Sequence, residues 1–140
     1  MNGPWTAGAE PQAYPVTRSG DLVHVRQAIR ALSQQCGLSL VDQTKMITAA
    51  SELARNTLIY GGGGTVRAGL VDGAGKRGVA SVFEDAGPGI ADVEQAMTDG
   101  WTSGGGLGLG LSGARRLVDD FHLHTVVGEG TMVTIIKWVR

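Results

Sequence analysis

Apolar residues recur along this chain first at helical spacing and then at strand spacing. Leu22, Val25, Ile29, Leu32 and Cys36 return every three or four positions, which places an apolar stripe on a helix over residues 21–36. Asp21, directly after Gly20, supplies a cap, and Gly37 a stop. A second helix starts at Ser39 or Asp42 and runs uninterrupted to Tyr60, where the run GGGG at 61–64 ends it. Its apolar stripe is Ile47, Ala50, Ala54 and Leu58, with Glu52 and Asn56 on the other face. Two strand-like runs follow, 65–72 and 78–85, joined by the turn GAGKRG. A short helical stretch covers 91–97, a further helix 111–119, and the runs 121–127 and 131–139 form a hairpin across GEG. Residues 14–18 read as a short edge strand. Residues 1–12, MNGPWTAGAEPQ, read as a loose leader in which Trp5 is incidental. This order predicts an α+β two-layer sandwich, a mostly antiparallel sheet covered on one face by helices, in a single domain over 13–140.

Composition narrows the chemistry. A chain of 140 residues can bury a core without metal or disulfide staples. A net charge of -1 leaves no basic footprint and argues against nucleic-acid binding. The single cysteine, Cys36, sits at an apolar helical position and reads as a small buried hydrophobe, with no disulfide. No apolar run approaches the ~20 residues that span a bilayer, so no membrane partner is expected and a cytoplasmic location is. His24, His122 and His124 lack metal-ligand spacing. His122 and His124 alternate with Leu123 and are expected on an exposed strand face, whereas Trp138 is expected in the core.

Glycine is the outlier, with 23 of 140 residues, about twice its average usage of roughly 7%. The densest cluster is SGGGLGLGLSGARRLV, residues 103–118. It contains G-x-G-x-x-G, but it lies in the last third of the chain and not between a first strand and first helix, as a dinucleotide fold requires. No Walker lysine follows Gly110. The loop does open a helix, whose free amides and dipole favour an anion. A phosphate site of another type remains.

Such a site needs partners, and three boxes offer them. In SELARN, Glu52 and Asn56 lie four apart on one helix face. An Asn amide oxygen suits Mg²⁺, and a glutamate one turn earlier can take a proton from an attacking hydroxyl. Alone, the pair reads as a solvated helix face. In DAGPGI, Asp85 ends an apolar strand before the turn of Gly87 and Gly89; by itself this is only a turn. The third is GEGT at 128–131, in the last hairpin.

Taken in order with the glycine loop, these boxes resemble the Bergerat-type ATP-binding fold of the GHKL superfamily (gyrase, Hsp90, histidine kinases, MutL), over about residues 16–139. The stretches DQTKMITAASELARN, EDAGPGIADVEQAMTDG, GGLGLGL and RRLVDDF resemble more closely the RsbT-type serine/threonine kinases of bacterial stress signalling. That resemblance implies ATP and Mg²⁺ as ligands and phosphorylation of STAS-domain scaffold or antagonist proteins. It also implies Glu52 as general base, Asn56 as Mg²⁺ ligand, and Asp85 as acceptor of the adenine amine, with Gly87 and Gly89 shaping the wall. The loop Gly104, Gly105, Gly106, Leu107, Gly108, Leu109 and Gly110 would cradle the phosphates as part of a mobile lid, and Thr131 would support Asp85. The alternative is an ATP-binding regulatory module that activates a phosphatase or sequesters a sigma factor. The lid, about 98–105, carries no Lys or Arg. Roles for Arg55, Trp101, Arg115 and Arg116 stay open: solvent, nucleotide or partner.

Overall fold

The computed structural model describes residues 3–5, 10–98 and 110–140. Its elements are β1 (Gln12–Val16), α1 (Asp21–Cys36), α2 (Leu40–Ile59), β2 (Gly64–Gly73), β3 (Lys76–Asp85), α3 (Val93–Ala96), α4 (Gly110–Leu117), β4 (Asp120–Val126) and β5 (Gly130–Trp138). The strands form one sheet in the order β1-β2-β3-β5-β4, and every neighbouring pair is antiparallel. The helices cover one face, as the element order predicts.

Local chemistry sets the element ends. The last turn of α1 closes on Gly37, at φ 91°, with its N–H and that of Leu38 both reaching the Ser33 carbonyl. This left-handed cap needs a residue without a Cβ. Ser39 caps α2 by accepting from the Asp42 N–H at 3.1 Å. Asp21 serves differently from the helix cap expected of it: Gly20 holds that position. The Asp21 Oδ2 instead accepts from the N–H groups of Thr17 (2.9 Å) and Arg18 (3.2 Å). The bond from Thr17 is the chief reason its carboxyl is held below the ordinary value. Those two amides are thereby withdrawn from the sheet, so β1 lies over 12–16 rather than the expected 14–18. The β2–β3 turn is also shorter than GAGKRG suggests. Ala74 and Gly75 turn the chain alone, both at positive φ (50° and 79°), and Gly73 already pairs with Lys76.

The main core lies between helices and sheet. Val25 and Ile29 of α1, Met46 and Leu53 of α2, and Val66, Val79, Phe83 and Ile135 of the sheet are buried there. The buried stripe of α2 is wider than the sequence pattern gives: Met46, Ala49, Leu53 and Thr57 join Ala50 and Ala54, while Ile47 and Leu58 are half-buried. The reason is that α2 packs between α1 and α4, so more than one flank meets protein. Cys36 is buried as expected, and burial raises its thiol pKa.

The other sheet face carries a second, smaller cluster of Val71, Ala80 and Ile136 under Trp5 and Trp138. Trp5 is therefore not incidental: a Cβ on Gly69 would meet its ring at 3.1 Å. Trp138 lies on this outer face and not in the main core, its indole N–H donating to Asp120 at 2.7 Å. His122 and His124 are exposed.

One buried cation fastens the N-terminal end of α2. Lys137 of β5 is 4% exposed, with its Nζ 3.6 Å from both Asp42 and Asp119. Arg140 pairs with the same two carboxylates, and Asp119 also accepts from the Trp138 N–H at 2.8 Å. Burial alone would raise the Asp119 pKa; the Trp138 bond and the Lys137 and Arg140 charges outweigh it and hold the carboxyl below its ordinary 3.8. Asp119→Asn should cost about 1–3 kcal/mol, less than a fully broken buried pair because Asp42 remains. Because the folded pKa is depressed, this contribution is complete above pH 3.8 and disappears as pH falls through the lower folded value. Urea unfolding of both proteins at pH 7 and in acid measures it; equal stability at pH 7 contradicts the ionic clamp.

Candidate functional site

A cavity of about 380 Å³ opens between the C-terminal half of α2 and the end of the sheet. That size is in the range of small-molecule sites. Leu53, Asn56, Thr57 and Tyr60 descend from α2, and Gly61 follows them. Phe83 and Asp85 rise from β3, opposite Val133 and Thr131 of β5 in the register of the sheet. Residues two apart on a strand share a face, so all four point toward the helices. Pro88 through Asp92, Gln95 and Ala96 form one wall, and Leu111 of α4 another.

Asp85 sits in a corner that only glycine can line. Its Oδ1 accepts from the Gly87 N–H at 2.9 Å. A Cβ on Gly61 would stand 2.5 Å from the Asp85 Cβ, and one on Gly87 would stand 2.8 Å from the Gly61 backbone. Gly130, at φ 132°, passes against the Asp85 carbonyl. The carboxylate is thus fixed at the rim of an apolar floor made by Phe83 and Val133.

Asn56 marks the opposite end. α2 and α4 run antiparallel, with Gly110 packed against the Asn56 amide and Asp119 beside Asp42 through Lys137. A Cβ on Gly110 would lie 2.8 Å from the Asn56 Nδ2. The Asn56 Oδ1 is buried without a hydrogen-bond partner among the described residues. Leaving a buried carbonyl unpaired is costly, and such an oxygen suits a hard cation, which takes few protein ligands beside water and phosphate oxygens. Among the described residues no Lys or Arg lines the cavity. Phosphate charge there would have to meet backbone amides, the α4 N-terminus or a metal.

The sequence candidates divide accordingly. Asn56, Asp85, Gly89 and Thr131 line the cavity. Gly87 and Gly110 stand just behind it, each packed on a lining residue. Glu52 is half-buried one turn before Asn56 and is not among the lining residues. Gly104, Gly105, Gly106, Leu107, Gly108 and Leu109, with Trp101, lie outside the described residues. Arg55 and Arg115 are exposed. Sequence reading missed Tyr60 and Gly61, although Tyr60 follows Asn56 by one helical turn and shares its side. It also missed Thr125, whose hydroxyl lies 2.9 Å from that of Thr131.

Comparison with known proteins gives the family. The chain belongs to the family of histidine kinase-like ATPase domains, whose model matches residues 16–137. Membership implies ATP binding. The chain is a homologue of the serine/threonine-protein kinase RsbT of Bacillus subtilis, 46% identical over 120 residues, covering 86% of this chain and 90% of that one. It is 28% identical to an anti-sigma F factor of Clostridium novyi over 132 residues, 89% of this chain and 91% of the relative. The crystal structure of the RsbU and RsbW domains of Rv1364c from Mycobacterium tuberculosis shares the fold, with a TM-score of 0.59 at 20% identity over 91% of this chain. This chain covers 32% of the length of that larger one. Among the described residues, no helix is long and apolar enough to cross a membrane.

Gly61→Ala tests the glycine corner. The added methyl must displace the Asp85 side chain, so ATP affinity should fall by about tenfold, the weight of one charge-assisted hydrogen bond. Calorimetry against wild type reads the change, and unchanged affinity would detach Asp85 from the ligand.

Proposed function

We propose that this protein is a cytoplasmic, ATP- and Mg²⁺-dependent protein-serine/threonine kinase that phosphorylates STAS-domain partners of a bacterial stress-signalling switch. The observation that carries the reading is the buried Asn56 Oδ1, without a hydrogen-bond partner among the described residues, at the cavity end where α4 begins, in a homologue of RsbT. Asp85 accepts from the adenine amine, Gly87 and Gly89 shape the wall, and Thr131 supports Asp85. The 104–110 loop and the α4 N-terminus supply amides to the phosphates. Asn56 holds Mg²⁺, which when bound neutralises phosphate charge.

In the transfer, the acceptor hydroxyl oxygen bonds to the γ-phosphorus as the bond to the β,γ-bridging oxygen breaks, leaving ADP. Glu52 takes the hydroxyl proton. A transition state of this type asks little covalent chemistry of the protein, so positioning and charge carry most of the rate. Glu52→Gln should therefore keep ATP affinity within about twofold while slowing phosphate transfer to a STAS protein by about 10²–10⁴-fold. Transfer at the normal rate would remove Glu52 from the role of base.

A second reading draws on one observation, that Glu52 is not among the cavity-lining residues. There the chain is an ATP-binding module that activates a phosphatase or sequesters a partner such as a sigma factor. Wild type and Glu52→Gln that both bind a STAS protein while neither phosphorylates it would establish that reading.

A further inference from the structure

Thr125 is not among the cavity-lining residues, yet two groups of the cavity wall and the Gly130 carbonyl beside them converge on its hydroxyl. The Ile90 N–H donates to its Oγ1 at 2.9 Å, across 35 positions of sequence. The Thr131 Oγ1 lies 2.9 Å away, directly opposite in the β4–β5 register. The Gly130 carbonyl lies at 3.1 Å. Ile90 and Thr131 both line the cavity.

Proton counting orders these contacts. A hydroxyl carries one proton and two lone pairs. The Ile90 N–H can only donate and the Gly130 carbonyl can only accept. All three contacts are satisfied together in one way: Thr125 accepts from Ile90 and from the Thr131 hydroxyl, and gives its own proton to Gly130. The Thr131 proton is then committed inside the wall, and Thr131 offers the cavity lone pairs alone. The neighbouring Asp85 carboxylate also only accepts when ionised. Asp85 and Thr131 face each other in the β3–β5 register. This end of the cavity is an acceptor-only corner.

We propose that Thr125 is a positioning residue that sets the hydrogen-bond polarity of the base pocket, making it select a purine with a donor at the 6-position over one with an acceptor there. The proposal rests on the nucleotide reading given above. Thr125 acts through Thr131 and through the wall segment at Ile90, and it never contacts the ligand.

Two substitutions and two readouts test it. Thr125→Val keeps the branched shape and removes the hydroxyl; Thr125→Ser keeps the hydroxyl. With valine, the Thr131 proton is freed to point into the cavity, where it can meet a 6-keto oxygen. The preference for ATP over inosine triphosphate, measured by calorimetry, should fall by about three- to tenfold, the range of one neutral hydrogen bond. The serine variant should restore the wild-type preference, which a general loss of fold would not. A wild-type preference in the valine variant overturns the proposal. Independently of any nucleotide, hydrogen exchange of the Ile90 amide in the free protein should speed up in Thr125→Val and not in Thr125→Ser; unchanged exchange in the valine variant also overturns it. If wild type binds neither nucleotide, the nucleotide reading fails and the selectivity claim with it, whereas the Ile90 exchange still decides whether Thr125 holds the wall.

Discussion

The close packing of glycine backbone around Asp85 is the constraint on which the site depends. Helix α2 must end, strand β3 must end and strand β5 must begin within one small volume. Side chains at 61 or 130 would fill it. Glycine disfavours folding through its backbone entropy, so this corner is offset by burial elsewhere: Phe83, Val133 and Leu53 beneath it are nearly fully buried. What the corner gains is a carboxylate fixed by the Gly87 amide at the rim of an apolar floor.

The same helix is held at its other end by charge. Lys137 draws Asp42 of α2 and Asp119 of the α4–β4 junction to one point. The helix layer is thereby aligned so that Asn56 meets the head of α4 at the cavity. Stability and site are thus two ends of one element. The ionic clamp and the close packing of Gly110 on the Asn56 amide hold α2 and α4 together at opposite ends. The N-terminal segment adds a separate contribution on the far sheet face, where Trp5 lies across Gly69.

Much of the fold is legible in the sequence because its periodicities are clean. The two long helices, the two hairpins and the antiparallel sheet follow from apolar spacing and glycine stops. Asn56 and Asp85 are legible as boxes in a fixed order, a stronger signal than either alone. What escapes is tertiary. Gly61 reads as part of a helix-terminating run, and only the approach of Asp85 shows why it cannot carry a side chain. Thr125 sits in an ordinary alternating strand, and its contact with Ile90 spans 35 positions. Lys137 carries no local signal in the sequence, because the two carboxylates it pairs with come from distant elements. Trp5 and Asp21 fail in the same way: local pattern assigns them to a leader and a helix cap, and long-range or turn contacts give them other partners.

In the proposed site the Asn56 carbonyl, buried without a partner among the described residues, completes the binding of Mg²⁺-ATP. The most direct test is linkage between metal and nucleotide in the free protein, read by calorimetric titration of ATP with Mg²⁺ and with a chelator in its place. Wild type should lose about tenfold or more in ATP affinity when the metal is removed, the scale of one strong charge-assisted contact. Asn56→Ala should bind ATP with nearly the same weakened affinity under both conditions. Full Mg²⁺ dependence retained in Asn56→Ala would contradict the account, because the metal would then be held by other groups and the buried Asn56 oxygen would need another explanation.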